Sequence, residues 1–379
     1  MSESEAVSEE IVAHSLAKDP VEALRDALSE VFTGLVAAGC GPHHLTGMDW
    51  LAADPAAFHL SRPAVELAYR EVFAGFRPPI RLQSGSVPGL TIQARFSPPQ
   101  PPSQPLPDVE IDGYPLRELG RQYSPRLQAD MKALFRQWSR DGEAFRAEHA
   151  GLDLAYGPGR FETLDLFRPT GVGHVPVFVF IHGGYWQASD KIQHAQFARG
   201  LLDAGIAVAM PNYGLAPETP LEASIAQTVA ALNFLVREAD ALGLDPARLH
   251  VSGHSAGGHL AAMALCDPGA PPIASALLLS GLYDLQPLGH LPIGRLLGLD
   301  DTARAVRLSP VTRPRPRIDR LALAVGAGES DAFKRQSSML AKAWRAPEPL
   351  ICPGHHFSML DGLNGGALLD LALRTAAAA

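Results

Sequence analysis

A serine flanked by glycines stands in the pentapeptide Gly253-His-Ser-Ala-Gly257. An apolar strand pattern precedes it and a helical pattern follows it, so the chain must turn tightly between the two. Such a turn holds the serine in a strained backbone conformation that the glycines permit, with its hydroxyl at the N-terminus of the helix. Ser255 is therefore the predicted nucleophile of an acyl-transfer reaction.

A second glycine-containing segment, His182-Gly-Gly-Tyr-Trp186, directly follows an apolar strand pattern over residues 176–181. Paired glycines let backbone N–H groups turn towards a carbonyl oxygen, where negative charge develops during acyl transfer. We assign this oxyanion hole to the amides of Gly184, Tyr185 and Ala256. His182 is interpreted as a structural group of the loop, because the base of such a fold follows the nucleophile in the chain.

The acid and the base are expected downstream, in the order serine, acid, histidine. His356 is the predicted base, since it lies on the last loop before a C-terminal helix; its neighbour His355 is the alternative. The loop after the strand pattern at 321–325 offers two acids, Glu329 and Asp331. Either would hold the imidazole tautomer and stabilise the imidazolium, so the residues alone leave this choice open.

The elements that must position these residues alternate between strand and helix patterns. Apolar strands are predicted at 176–181, 206–210, 248–252, 276–280 and 321–325, with helices at 193–202 and 221–242 and a helical stretch at 120–149. Near-continuous apolar strands separated by helices indicate a mostly parallel sheet covered on both faces. The predicted fold class is α/β, a doubly wound sheet that forms a catalytic domain over residues 109–379.

A small α+β domain is predicted over residues 1–95. It combines helices at 20–38 and 62–73 with strands at 45–50 and 90–94. The segment 96–107 then has six prolines, which remove backbone donors and favour extended geometry. Residues 96–108 are accordingly interpreted as a semi-rigid linker.

The N-terminal segment, over about residues 20–96, resembles the RidA-type reactive-intermediate deaminases. The resemblance rests on the order of its helices and on Ala37-Ala-Gly-Cys-Gly41 and Val87-Pro-Gly-Leu-Thr-Ile-Gln-Ala94. Where that family has its functional arginine this chain has Pro79, with Arg81 two residues later, and Gln93 stands in the place of its glutamate. The family's first two strands have no expected counterpart. The resemblance implies a degenerate domain for assembly or substrate gating, and a homo-oligomer formed through it.

Charge and composition exclude several classes of function. Lys+Arg 32 against Asp+Glu 40 gives a net charge of −8, which argues against a nucleic-acid binder. Three widely spaced cysteines form neither a disulfide framework nor a zinc motif, and the pairs His43-His44 and His355-His356 lack further ligands. No metal or cofactor is expected. Without a signal peptide pattern or a membrane-length apolar run, we expect a cytoplasmic protein that does not bind a membrane.

The motifs of the larger domain resemble the kynurenine formamidase branch of the α/β-hydrolases, over about residues 115–375. The stretches that discriminate this branch from other esterases are Ser280-Gly-Leu-Tyr-Asp-Leu285 and Glu329-Ser-Asp-Ala-Phe-Lys-Arg-Gln-Ser337. The resemblance implies an α/β-hydrolase fold and an aryl formamide such as N-formylkynurenine as substrate. It favours Glu329 over Asp331 as the acid, because Glu329 stands before the serine of the family pattern.

Two questions stay open at the level of sequence. Tyr185 and Trp186 stand beside the predicted oxyanion hole, where they would either stack on an aromatic substrate or pack the loop. The same triad would also serve a carboxylesterase for small acyl or aryl esters, and a hydrolase-like scaffold without activity is a third possibility. Fold and triad do not choose between these functions.

Overall fold

A computed structural model describes residues 9–37, 45–62, 64–65, 68–69, 78–97, 110–149, 151–171 and 173–377. Contacts within the chain divide it into two units, Met1–Asp108 and Val109–Ala379. Most of the predicted linker, residues 98–108, lies outside the described residues. In the described part of the chain, no helix is long and apolar enough to cross a bilayer.

The N-terminal unit is a four-stranded sheet with a helix packed on one face. The sheet has the order β1-β4-β2-β3, in which β2 and β3 are parallel and the other pairs are antiparallel. Its elements are β1 (Glu9–Ser15), α1 (Pro20–Ala37), β2 (Leu45–Ala52), α2 (Pro55–Leu60), β3 (Ile80–Ser84) and β4 (Leu90–Phe96). Asp19 begins α1, because its carboxylate accepts hydrogen bonds from the amides of Val21 and Glu22 at 2.9 Å. Alternate residues of β4 are buried, as expected for a sheet covered on one face.

The predicted elements of this unit are present, and further ones were missed. Strands β1 and β3 and helix α2 were not predicted, so one strand does precede α1. Of the helix predicted at 62–73, residues 62, 64–65 and 68–69 are helical, and 70–73 lie outside the described residues. The RidA-type assignment stays a prediction, as does assembly through this unit, which light scattering of the full chain would test.

The larger unit contains an eight-stranded sheet in the order β14-β13-β12-β11-β9-β10-β8-β7. Strands β9 to β14 run parallel, whereas β7 and β8 are antiparallel at one edge. The strands are β7 (Leu152–Ala155), β8 (Thr163–Phe167), β9 (Val175–Ile181), β10 (Ala207–Pro211), β11 (Leu244–His254), β12 (Ser275–Leu279), β13 (Arg320–Gly326) and β14 (Leu350–Cys352), and a separate hairpin joins β5 (Glu110–Ile111) to β6 (Tyr114–Pro115). Every residue of β10 and β12 is buried, because helices cover both faces. The predicted α/β class with a mostly parallel sheet is confirmed.

Helices connect the strands and complete the unit. They are α3 (Leu116–Gln122), α4 (Met131–Glu148), α5 (Arg199–Asp203), α6 (Leu221–Arg237), α7 (Ala256–Leu265), α8 (Pro292–Leu296), α9 (Thr302–Arg307), α10 (Asp331–Ala343) and α11 (Ala367–Ala376). The helical stretch predicted at 120–149 contains the end of α3, a 3-10 turn (Pro125–Gln128) and α4. The helix predicted at 193–202 is a 3-10 turn (Ile192–Ala198) followed by α5, and α6 ends five residues before the predicted 242.

A buried ion cluster ties helix α4 to the antiparallel edge of the sheet. Asp165 in β8 is fully buried, and its Oδ1 lies 2.9 Å from Lys191 Nζ and 3.2 Å from a guanidinium nitrogen of Arg146. Lys191 Nζ also contacts Asp153 of β7 at 2.6 Å. Arg146 lies in the last turn of α4, so the carboxylate of Asp165 is neutralised from the helix and from a loop.

Candidate active site

The predicted nucleophile lies at the carboxyl end of strand β11, where the chain turns into α7. Ser255 has φ 56° and ψ −119°, a left-handed conformation that side-chain-bearing residues rarely adopt. A Cβ on Gly253 would lie 2.2 Å from the carbonyl oxygen of Gly257, and one on Gly257 would lie 2.0 Å from that of Ile181. Both glycines are therefore required sterically for the turn that places Ser255 above the sheet.

The predicted base and acid meet at the same edge of the sheet. Glu329 follows β13, His356 follows β14, and His356 Nδ1 lies 2.6 Å from Glu329 Oε2. The other carboxylate oxygen, Oε1, accepts hydrogen bonds from Gly326 N at 2.8 Å and from the Ser280 hydroxyl. Since Nδ1 donates to the carboxylate, the Nε2 atom of the neutral ring is left as a proton acceptor.

The alternatives for these two roles lie elsewhere. Asp331 is the exposed first residue of α10, and the Nδ1 atom of His356 is paired with Glu329 instead. His355 Nδ1 faces its own turn, where it accepts from the amides of Phe357 at 3.2 Å and Ser358 at 3.4 Å. The structure thus brings Glu329 and His356 together and leaves both alternatives aside.

The loop predicted to form the oxyanion hole has three consecutive left-handed residues. The φ angles are 115° at Gly184, 53° at Tyr185 and 58° at Trp186. Among the described residues, no group accepts a hydrogen bond from the amides of Gly184, Tyr185 or Ala256. These three N–H groups thus keep their donor capacity, which is what stabilisation of a developing oxyanion requires.

Buried rings support this loop from behind. The Tyr213 hydroxyl donates to the carbonyl oxygen of His182 at 2.9 Å, and the two rings stack with centroids 4.5 Å apart. His182 Nδ1 lies 2.8 Å from the carbonyl oxygen of Gly183. Burial lowers the pKa of His182, so the ring is a neutral donor to that carbonyl. His182 therefore has a structural role and stabilises the loop, as predicted from its place in the chain.

Trp186 does not reach the substrate side of the loop, which corrects its predicted role in substrate binding. The side chain is fully buried, its Nε1 donates to His259 Nδ1 at 3.2 Å, and its ring meets that of His259 edge-on. The left-handed conformation at residue 186 turns the indole into the domain. Tyr185, in contrast, lines the cavity beside Ser255, as a substrate-contacting residue should.

Ser255 and His356 open into one small cavity of about 40 Å³. That volume holds about three water-sized groups. The lining is rich in aromatic rings and histidines: Pro125, Arg126, Met131, Phe135, Trp138, Gly183, Gly184, Tyr185, Ser189, His194, His254, Ser255, His356 and Phe357. The cavity accordingly suits a short acyl group next to an aromatic surface.

The aromatic wall of this cavity was not predicted from the sequence. Phe135 and Trp138 lie on α4, and Trp138 meets Phe357 edge-on with centroids 6.1 Å apart. Their i, i+3 spacing on an amphipathic helix is the signal that was available, but it fits core packing equally well. Ser280, which donates to Glu329, was also missed, although it directly follows β12 at the edge that carries the other site residues.

The segment from Gln122 to Gln128 contacts each part of the site. The carbonyl oxygen of Gln122 accepts from the Ser330 hydroxyl at 2.6 Å, beside the acid. The carbonyl oxygen of Tyr123 accepts from the Tyr185 hydroxyl, and Gln128 Oε1 accepts from the backbone amide of His356 at 3.2 Å. This segment therefore links the acid loop, the oxyanion loop and the base.

Comparisons with known proteins identify the family of this chain. Residues 164–269 match the family described as BD-FAE. A solved protein from Silicibacter sp. TM1040, provisionally assigned as a thioesterase, is 34% identical with a TM-score of 0.57, covering 63% of this chain and 92% of that one. A truncated carbohydrate esterase from gut microbiota shares the fold alone, at 19% identity and a TM-score of 0.52 over 60% of this chain and 95% of that one. The chain belongs to the α/β-hydrolases.

Within this family, the chain has kynurenine formamidases as homologues. It is 29% identical to the kynurenine formamidase of Salmo salar over 274 residues, which cover 66% of this chain and 92% of that protein. Carboxylesterase NlhH of Mycobacterium tuberculosis is 38% identical over 109 residues, 28% of this chain and 34% of that one. The chain is thus a hydrolase related to formamidases over the greater length and to carboxylesterases over a shorter one.

No cluster of three or more potential metal ligands occurs in the part of the chain that the structure describes. His43 and His44, considered above as a histidine pair, lie outside the described residues.

Proposed function

We propose that this protein is a serine hydrolase that cleaves an aryl formamide such as N-formylkynurenine. The support is the small cavity at Ser255, which has room for a short acyl group and a wall formed by Phe135, Trp138 and Tyr185. The homology to kynurenine formamidases over most of their length supports the same substrate class.

In the proposed acylation step, His356 Nε2 takes the proton of Ser255 while the serine oxygen attacks the formyl carbon. The amides of Gly184, Tyr185 and Ala256 donate to the oxyanion, each contributing about 2.7–4 kcal/mol in comparable sites. Glu329 stabilises the imidazolium across the 2.6 Å contact to Nδ1. His356 then protonates the leaving aryl amine as the C–N bond breaks.

In the proposed deacylation step, water replaces the amine. His356 Nε2 removes a proton from the water, whose oxygen attacks the formyl ester of Ser255. The same oxyanion donors act again, and His356 returns the proton to the serine oxygen as formate leaves. Apart from the substrate and water, every group that these two steps use is a side chain or a backbone amide of the protein.

The experiment that tests this function compares kcat/KM on N-formylkynurenine with kcat/KM on p-nitrophenyl acetate, with Ser255→Ala as the blank. We expect the formamide to be preferred and both activities to vanish in the variant. Ser252→Ala is the matched control, because Ser252 donates to the carbonyl oxygen of Leu277 within the sheet and lies outside the cavity.

A second function is favoured by the shorter match to carboxylesterases. Turnover of the ester alone, lost in Ser255→Ala, would replace the formamidase proposal by a carboxylesterase for small acyl or aryl esters. Resistance of the wild-type protein to a serine-directed fluorophosphonate would instead support a hydrolase-like scaffold without activity.

A further inference from the structure

The cavity beside Ser255 contains an imidazole that the proposed mechanism does not use. His194, in the 3-10 turn before α5, is 2% exposed and lines the cavity together with Ser255 and His356. Its ring meets Trp138 edge-on at a centroid distance of 5.1 Å and stacks on His182 at 5.7 Å. Packing on two sides therefore fixes the orientation of the ring.

The hydrogen bond at Nδ1 determines the tautomer of the His194 ring. His194 Nδ1 lies 3.1 Å from the carbonyl oxygen of Asp190, and a carbonyl can only accept, so Nδ1 carries the hydrogen. Burial, and secondarily the nearby His182, lower the pKa of His194 to about 3, so the ring is neutral at physiological pH. Nε2 is consequently an acceptor, and within the described part of the chain no group donates to it.

A second cavity histidine has the same character. His254 Nε2 lies 2.8 Å from the carbonyl oxygen of His356, so Nε2 donates and Nδ1 is left as an acceptor. The two cavity histidines outside the proposed triad thus each present one lone pair, at His194 Nε2 and at His254 Nδ1. A ligand that displaces water from this acceptor either brings a hydrogen to His194 Nε2 or leaves it desolvated and unpaired.

We propose that His194 Nε2 accepts a hydrogen bond from the N–H of the scissile amide, and that this contact makes the site selective for secondary formamides over esters of the same acyl group. The inference rests on the proposed function. An ester has an oxygen where the formamide has its N–H, so its lone pairs would face the lone pair of Nε2. A site built to pair a substrate N–H rejects the analogue that lacks it.

The test is the ratio of kcat/KM on formanilide to kcat/KM on phenyl formate, with spontaneous hydrolysis subtracted by a Ser255→Ala blank. His194→Phe keeps a flat ring against Trp138 but has no acceptor, and His194→Gln restores a side-chain oxygen. We expect the ratio to fall about tenfold in His194→Phe, as the loss of one buried hydrogen bond predicts. In His194→Gln it should return to within about threefold of the wild-type ratio.

The control is His250→Phe. His250 is also a buried histidine, with Nδ1 2.8 Å from the Ser275 hydroxyl, but it does not line the cavity. An unchanged ratio in this variant supports the inference. Equal losses on both substrates in His194→Phe, a failure of His194→Gln to recover the ratio, or an equal fall in His250→Phe would overturn it. Formanilide turnover by the wild-type protein tests the formamidase function separately.

Discussion

The two sides of the active site differ in how their polar groups are satisfied. On the base side, both oxygens of Glu329 have partners, and the backbone amide and carbonyl of His356 are paired with Gln128 and His254. On the oxyanion side, the amides of Gly184 and Tyr185 donate to no group among the described residues.

The two sides have different tasks in the proposed reaction. The base side holds the ring of His356 in one tautomer, and hydrogen bonds to the surrounding polar groups fix that arrangement. In the proposed reaction, the oxyanion side receives charge that exists only during the reaction, which fits its unpaired donors and its strained backbone. Substitutions should therefore damage the two sides by different routes.

The largest effect is expected on the base side, from Glu329→Gln. The amide would still accept from Gly326 N, but its NH₂ group would face His356 Nδ1 and favour the wrong tautomer. We expect kcat to fall by roughly 10³–10⁴ with little change in KM. Steady-state kinetics on the preferred substrate measure this.

Asp331→Asn is the matched control, because Asp331 is the exposed alternative acid two residues further along the chain. Its kcat should stay within about twofold of the wild-type value. A larger loss in Asp331→Asn than in Glu329→Gln would reassign the acid.

A smaller effect is expected on the oxyanion side, from Gly184→Ala. The new Cβ would lie 2.0 Å from the carbonyl oxygen of Ala188, and φ is 115°, so the loop must shift and its N–H groups move with it. We expect kcat/KM to fall by about 10²-fold, the loss typical of one oxyanion donor.

Gly205→Ala is the control, because it adds backbone strain without displacing a loop of the candidate site. Gly205 has φ 80°, but a Cβ at this residue would meet open space, since no atom lies within 4 Å of the position it would take. The variant should lose about 1 kcal/mol of unfolding free energy in denaturant titration and keep its kcat/KM. Equal kinetic losses in both glycine variants would contradict the role given to the loop.

The smallest effect is expected from Gln128→Ala, which removes the acceptor for the backbone amide of His356. Loss of one neutral hydrogen bond predicts a fall in kcat of about fivefold, with KM unchanged. Leu127→Ala is the control, because Leu127 is an exposed neighbour in the same 3-10 turn. A change in KM alone would show that Gln128 acts on the substrate and not on the base.

The sequence predicted those parts of the structure in which the residue pattern is compatible with only one local conformation. The parallel strands are apolar throughout because both faces are covered, and the turn at Ser255 needs glycines on both sides. Strands β1 and β8 were missed because charged residues interrupt them, Glu9 and Glu10 in one and Asp165 in the other. Such short segments of mixed polarity show no clear hydrophobic periodicity. Only the folded structure shows that Asp165 is neutralised by an ion pair with Lys191.

The candidate site was predictable from the sequence up to the proposed nucleophile, acid and base, and less so beyond these three residues. Chain order and the carboxyl edge of a parallel sheet limit where an acid and a base can stand. Nothing in the sequence says which way a side chain points, so Trp186 was expected to face either the substrate or the domain. The proposed role of His194 depends on its tautomer, and that of Gln128 on a hydrogen bond to a backbone amide. Neither feature is visible as a motif in the sequence.

The ion cluster at Asp165 also holds in place helix α4, which carries part of the cavity wall. Helix α4 carries Phe135 and Trp138 of the cavity wall near its start and Arg146 near its end. Lifting the helix would remove Arg146 from the fully buried carboxylate of Asp165 and leave Lys191 as the one cation beside it among the described residues. We therefore expect the aromatic wall to be a fixed part of the domain and not a lid, so that the shape of the cavity itself selects the substrate.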